Sequence, residues 1–297
     1  MSVTPPPQVP ETRVRRRRSY RWVPFALLFV LSSCVLVYFA FSDGPFGRFQ
    51  IRAMSAEQEA QVGKKLNSLI LEEVETIADR PSSEAVDRIG AHLAEAVAMK
   101  DVRERVKLRP EKFAWTFRLV REHSPNAFCL PGGKVYVFSG LFPIAKTEGG
   151  LAAVMGHEIG HALAHHGSER LTQNFMTSMG VAFLSDRLGG SRRQETELAL
   201  GAASEAGVLL PFSREHESEA DHIGLILMAA AGYDPQEVLL LWERMRSWSK
   251  GAERSEYAST HPSHERRIKD LERRIPEVMA LYEKSTKRNG EKLLAVP

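Results

Sequence analysis

Leu151-Ala152-Ala153-Val154-Met155-Gly156-His157-Glu158-Ile159-Gly160-His161-Ala162-Leu163-Ala164 decides the reading of this 297-residue chain. His157 and His161 are four apart. On a helix they share a face, one turn from each other, so both imidazoles can reach one metal ion. Glu158 sits beside the first histidine and can point at a metal-bound water. The apolar flanks, Leu151 to Met155 and Ala162 to Ala164, predict that this helix is buried. Ala152, Ala153, Gly156 and Gly160 predict close approach by neighbouring elements.

A catalytic zinc ion usually has three protein ligands and one open position. A histidine six residues beyond His161 is ruled out, because Gly167 stands there. A remote carboxylate is the other solution. Phe212-Ser213-Arg214-Glu215-His216-Glu217-Ser218-Glu219-Ala220-Asp221 supplies candidates. Glu217 and Asp221 share a helix face. Glu217 can ligate, and Asp221 can accept the outer N–H of a ligating histidine. Ile223, Leu225, Ile226 and Met228 indicate that the helix is packed. Spacing alone leaves Glu215 and Glu219 as competitors of Glu217.

Outward from these segments, the chain divides readily. Hydrophobic residues make up 43% and charged residues 26%, the balance of a globular protein with a core. The net charge is +3. Much of it lies in Arg13, Arg15, Arg16, Arg17, Arg18 and Arg21, so no general nucleic-acid affinity is implied. Residues 1–21 read as a disordered basic start containing Pro5, Pro6, Pro7 and Pro10. Residues 22–41 are uncharged and 20 long. At about 1.5 Å of rise per residue they can cross a hydrocarbon core of about 30 Å. The arginines favour a cytoplasmic N terminus, which places the rest of the chain on the outer, periplasmic-type side. The alternative is a lipoprotein anchored at Cys34, since Leu31-Ser32-Ser33-Cys34 resembles a lipid-attachment box. Cys34 and Cys129 are the only cysteines and cannot form a thiolate-rich metal site.

Residues 42–54 read as a turn-rich linker, 55–284 as the folded domain, and 285–297 as a frayed polar tail. Ser55 with Gln58 forms a capping box before Val62, Leu66, Leu69, Ile70 and Val74. Ser82 or Ser83 can cap a helix carrying Val86, Ile89, Leu93 and Val97. Strands are expected over 113–120 and, around the turn Pro131-Gly132-Gly133, within 126–140. Helices are expected over 148–167, 169–188, 193–209, 213–231, 235–248 and 263–284. A small sheet followed by a run of helices is an α+β pattern.

Together these segments resemble the membrane-associated zinc endopeptidases that include the HtpX-type heat-shock proteases, the CAAX-prenyl processing protease, bacterial outer-membrane quality-control proteases and the mitochondrial OMA-type protease. The resemblance spans roughly residues 50–280. It rests on Asn126-Ala127-Phe128 with Leu130-Pro131-Gly132-Gly133, on His157 to Ala162, and on Glu217-Ser218-Glu219-Ala220-Asp221. Ala231-Gly232-Tyr233-Asp234-Pro235 and Thr260-His261-Pro262 with Arg267 add to it. With a single candidate span, the chain looks closer to the soluble-domain, quality-control branch.

The resemblance implies a zincin-like (gluzincin) domain behind one N-terminal transmembrane helix. It implies one zinc ion held by His157, His161 and Glu217, with Asp221 behind them, and so selects Glu217 over its neighbours. The expected activity is zinc-dependent endopeptidase cleavage of misfolded or membrane-associated polypeptides. Zinc lowers the pKa of its water to about 7 and polarises the scissile carbonyl. Glu158 takes the proton and returns it to the leaving amine. His261 and Arg267 are candidate oxyanion donors, and His261 can instead fill the open metal position at rest. Strand 134–138 is expected to hold substrate by edge pairing. His92, His123, His165, His166, His216, His222 and His264 are read as structural or exposed. Competing readings are a catalytically weak metal-binding chaperone of the same fold, and a zinc hydrolase of small amides or esters.

Overall fold

The computed structural model describes residues 41–78, 80–109, 111–176, 213–249, 261, 264–288 and 292–293. The expected anchor over 22–41, except Phe41, and the expected helix over 193–209 lie outside the described residues. Among the described residues no helix is long and apolar enough to cross a membrane.

Residues 42–54 were expected to be a linker, but 41–51 form a hairpin. Strand β1 (Phe41–Asp43) pairs antiparallel with β2 (Phe49–Ile51) around Gly44-Pro45-Phe46-Gly47. Helix α1 (Ala56–Glu73) follows, and Ser55 with Gln58 makes the expected reciprocal cap. Its apolar residues are less buried than their spacing suggested: Leu66, Leu69 and Leu71 are exposed. After β3 (Thr76–Ile77), helix α2 (Pro81–Ala98) starts with Pro81 in its first turn. Ser83 caps it from inside the helix, its Oγ accepting from the Arg80 N–H. Val86, Ile89 and Leu93 of α2 are fully buried. A short helix α3 (Lys100–Val106), not expected from the sequence, completes this part.

The main sheet has four strands in the order β3, β4 (Thr116–Val120), β6 (Lys134–Phe138), β5 (Ala127–Leu130). β4 runs parallel to β6, while β5 and β6 form the expected antiparallel hairpin. Gly132 and Gly133 take φ of 81° and 92° in its turn, a region that glycine enters without steric cost. β4 starts three residues later than the alternation suggested. Phe113 and Trp115 lie before it, stacked on each other 4.8 Å apart. The order also corrects the substrate-strand expectation. β6 is paired on both sides, so residues 134–138 have no free edge, and the edge strands are β3 and β5.

Beyond α4 (Phe142–Ala145), Thr147 caps α5 (Glu148–Leu163) by accepting from the Gly150 N–H. Fifteen of the sixteen residues of α5 are buried. It ends at Leu163, four residues earlier than expected, and residues 166–176 form the next helical stretch, α6. Ser213 caps α7 (Arg214–Ala231), which ends on Gly232 at φ 87°, followed by α8 (Glu237–Ser249) and α9 (His264–Lys284). The tail is tied down where it is described: the Leu293 N–H donates to the Lys146 carbonyl and the Arg288 N–H to that of Gly232. Buried side chains from α2, the sheet, α5, α7, α8 and α9 form one core.

Candidate metal centre

Two helices build the site. α5 and α7 cross so closely that their contact is partly backbone on backbone. A Cβ on Gly156 would meet the Gly224 carbonyl oxygen at 3.2 Å, and one on Gly160 would meet that of Ala220 at 2.7 Å. One on Gly224 would meet the His157 nitrogen at 2.9 Å. Three missing side chains therefore bring the first turns of α7 against the histidine face of α5. Glu217 lies in the first turn of α7, where the helix dipole favours negative charge.

The result is a cluster of donor atoms from His157, His161, Glu217 and His261, all buried and all within 4.8 Å of one another. His157 Nε2 is 3.0 Å from His161 Nε2 and 3.3 Å from His261 Nδ1. Glu217 Oε1 is 2.9 Å from His261 Nδ1 and 3.3 Å from His161 Nε2. Glu217 Oε2 is 3.5 Å from His157 Nε2. A tetrahedral zinc site with bonds of about 2.0–2.1 Å has ligand–ligand edges of about 3.3 Å. The observed separations bracket that edge.

The electrostatics fit a cation as well. Burial drives the pKa of His161 well below its ordinary value and that of His261 down to about 4, so both offer neutral lone pairs at neutral pH. His157 moves the other way. Burial and the Arg267 charge act to lower it, but hydrogen bonds to Asp221 and Glu217 dominate and hold it at about 9. Glu217 is buried, which alone would raise its pKa, yet the Arg267 charge and the hydrogen bonds from the histidines hold it far below the usual carboxylate range. Glu158 is 3% exposed, and burial with the nearby Glu217 charge raises it to about 8. Its Oε1 is buried with no hydrogen-bond partner among the described residues and lies 3.7 Å from His261 Nε2. A buried carboxylate oxygen facing a set of metal donors is the position required of a base that acts on water at the metal.

The supporting shell is equally definite. Asp221 Oδ1 is 2.9 Å from His157 Nδ1, the contact that fixes a ligating imidazole with Nε2 inward. Arg267, from α9, donates through Nε and Nη2 to both oxygens of Asp221, at 2.7 and 2.6 Å. Its Nη1 is 2.6 Å from Glu217 Oε2, and its guanidinium lies 3.9 Å over the Trp242 ring. Arg267, expected as an oxyanion donor, thus neutralises Glu217 and Asp221 of α7. His261, the other candidate, is one of the converging donors.

His165 and His166, expected on the exposed end of the active helix, and His216, given the same reading, are buried in ionic networks. His165 bonds Glu59 and Glu111 at 2.7 and 2.8 Å. His166 is fully buried, with Nδ1 2.9 Å from His161 Nδ1 and Nε2 2.8 Å from Glu219 Oε2. His216 stacks on His166 at 4.2 Å and reaches Glu169. The signal available in the sequence was the adjacency of His165 and His166 to the end of α5. A helix running straight on to residue 167 would place His166 about 140° around the axis from His161. His222 stacks on Phe46 of the first hairpin, and His92 hydrogen-bonds the Tyr233 hydroxyl.

Two histidines one turn apart, a carboxylate from a second helix and a buried glutamate beside them form the donor set of a mononuclear metallohydrolase. Residues 82–275 match the model of Peptidase family M48, and the chain belongs to that family. It is 41% identical over 172 residues to the mitochondrial metalloendopeptidase OMA1 of Schizosaccharomyces pombe, covering 58% of this chain and 50% of that one. The human mitochondrial metalloendopeptidase OMA1 is 32% identical over 177 residues, covering 57% and 34%. The β-barrel assembly-enhancing protease of Escherichia coli K12 is 28% identical over 181 residues, covering 59% and 37%. The chain spans about half or less of the length of these relatives.

Proposed function

We propose that this chain is a membrane-anchored zinc endopeptidase that cleaves misfolded or membrane-associated polypeptides. The observation that carries the reading is the convergence of His157 Nε2, His161 Nε2 and Glu217 on one point, with the unpartnered Oε1 of Glu158 facing it. His157, His161 and Glu217 hold the zinc, which when bound supplies Lewis-acid polarisation of a peptide carbonyl and a water of lowered pKa. Glu158 takes the proton of that water and delivers it to the leaving amine. Its burial gives it the basicity this requires near neutral pH. Asp221 holds His157, and Arg267 holds Asp221 and Glu217. His261 fills the fourth donor position in the resting arrangement. β5 is the edge that receives an extended peptide, since it pairs only with β6. It runs beside the base: the Glu158 charge, after burial, helps push the Cys129 thiol up.

The names of the relatives, a metalloendopeptidase and a protease, support peptide-bond cleavage. Residues 22–41 provide the anchor, with the N terminus cytoplasmic and the domain on the outer side. Lipid attachment at Cys34 is the alternative tether.

Glu158→Gln tests the assignment. Full-length protein and variant, purified in detergent and loaded with zinc, are compared for casein cleavage and self-cleavage. The variant should keep zinc and lose about 10²-fold or more of the activity. Equal turnover by both refutes the assigned base. Zinc binding without turnover by the wild type would leave a metal-binding chaperone.

A further inference from the structure

His161 faces the donor cluster with Nε2, so its Nδ1 must carry the proton. Ordinarily a carboxylate or carbonyl would accept that proton. Here the acceptor is another imidazole, His166, five residues along the same segment. In a continuous helix residue 166 would lie about 140° around the axis from 161. The helix instead breaks at Ala164 and His165, where His165 adopts φ 53°, a conformation uncommon outside glycine. Two contacts hold the break. His165 is clamped between Glu59 and Glu111, and Gln50 of β2 donates through Nε2 to the Ala164 carbonyl at 2.6 Å. The chain thereby folds His166 back under His161.

A directional hydrogen-bond chain results. His161 Nδ1–H donates to His166 Nδ1 at 2.9 Å, and His166 Nε2–H donates to Glu219 Oε2 at 2.8 Å. Arg48 Nε donates to that same oxygen at 2.9 Å, while its Nη1 and Nη2 grip both oxygens of Glu169 at 3.0 and 2.7 Å. Glu169 also bonds His216, whose ring lies on His166. His166, Glu219, Glu169 and His216 are all buried. Arg48 lies between the turn and the second strand of the hairpin, whose first strand begins at Phe41.

We propose that His166 is the positioning residue for the metal ligand His161, and that Arg48 of the N-terminal hairpin sets it through Glu219. The segment after the proposed anchor is then part of the support of the metal centre, opposite the Asp221–Arg267 support of His157. The two histidine ligands have separate outer partners, one anchored in α9 and one in the hairpin. The inference rests on the metal reading of the site.

Full-length protein and three variants test it: His166→Phe, His166→Gln and Arg48→Met. Zinc affinity is measured by competition with a chromophoric chelator, and ligand geometry by the visible spectrum of the cobalt(II)-loaded protein. His166→Phe, which fills the space and removes the acceptor, should weaken zinc binding by about 10- to 100-fold and shift the cobalt bands. Glutamine can both accept from His161 and donate to Glu219, so His166→Gln should restore most of the affinity and the spectrum. Arg48→Met should give a smaller loss with a spectral shift in the same direction. If His166→Phe does not fold, the other two variants still read the chain. Wild-type affinity and spectrum in His166→Phe, or in Arg48→Met, overturn the role assigned to that residue. Failure of the wild-type protein itself to bind zinc overturns the metal reading instead.

Discussion

Gly160 faces the Ala220 carbonyl so closely that a Cβ at position 160 would stand 2.7 Å from the oxygen. The neighbour is backbone and cannot rotate away. The hydrogen in place of a side chain at 160 therefore fixes how near α7, with Glu217, comes to His157 and His161.

Gly160→Ala should for this reason weaken zinc binding more than it destabilises the fold. The alanine gains up to about 1 kcal/mol of helix propensity, while overpacking costs about 1–3 kcal/mol. Gly156→Ala, with 3.2 Å to the Gly224 oxygen, should show the same effect at smaller size. Chelator competition and thermal unfolding of each variant, with and without zinc, check the order.

Removing Arg267 should be costly in a different way. Arg267→Met keeps the packing on Trp242 but leaves Asp221 and Glu217 buried without their counter-ion. Breaking one side of a buried pair costs about 3–5 kcal/mol. Zinc should recover part of this, because it supplies the missing positive charge. The check is denaturant unfolding of metal-free and zinc-loaded protein. The loss should be larger without metal. Asp221→Ala should instead lower zinc affinity by about 10- to 100-fold, because His157 loses its outer partner.

The metal-free protein should lose stability as the pH rises toward 9. His157 is raised from 6.5 to about 9 by its contacts with Asp221 and Glu217, which overcome burial. Its contribution is complete below 6.5 and disappears as pH passes through about 9. Glu158, raised from 4.5 to about 8 by burial, acts in the same direction: the folded form binds more protons between those values. Zinc displaces these protons, so its stabilising effect should grow with pH from 6.5 to 9 and its binding should release protons. At the acid end, Glu169 and Asp221 are each held down at about 2, against burial, by Arg48 and His216 and by Arg267 respectively. Their contribution is present above their ordinary values of 4.5 and 3.8 and is lost as pH falls through about 2. Unfolding scans at a series of pH values, with and without zinc, read both windows.

The edge strand gives a prediction about substrate. The Phe138 N–H donates to the Asn126 carbonyl, so alternation turns the N–H and C=O of Cys129 toward the open edge of β5, while the Ala127 N–H is taken by Asn126 Oδ1 at 2.9 Å. Cys129→Pro removes that donor. It should raise KM for peptides several-fold, leaving zinc affinity unchanged. A change confined to kcat would argue against edge pairing.

Much of this site was legible because its signals are local. The spacing of His157 and His161 follows from helix geometry, and the small residues Gly156 and Gly160 announced a close crossing that the structure contains. Asp221 was legible through its four-residue offset from Glu217. What escaped was set by tertiary contacts. His165 leaves the helix because Glu59, Glu111 and Gln50 hold it there, and none of these is near it in sequence. The strand 134–138 has the stronger apolar alternation, yet its pairing on both sides depends on where residues 116–120 lie. Residues 42–54 lack a long periodic run, which reads as linker, but three-residue strands around a glycine-rich turn leave no periodicity to detect.

Anomalous diffraction at the zinc edge from crystals of the zinc-loaded protein tests the central claim most directly. The account predicts a peak about 2.0–2.2 Å from His157 Nε2, His161 Nε2 and a Glu217 oxygen. A protein saturated with zinc that showed its peak elsewhere, with those three side chains unliganded, would contradict it.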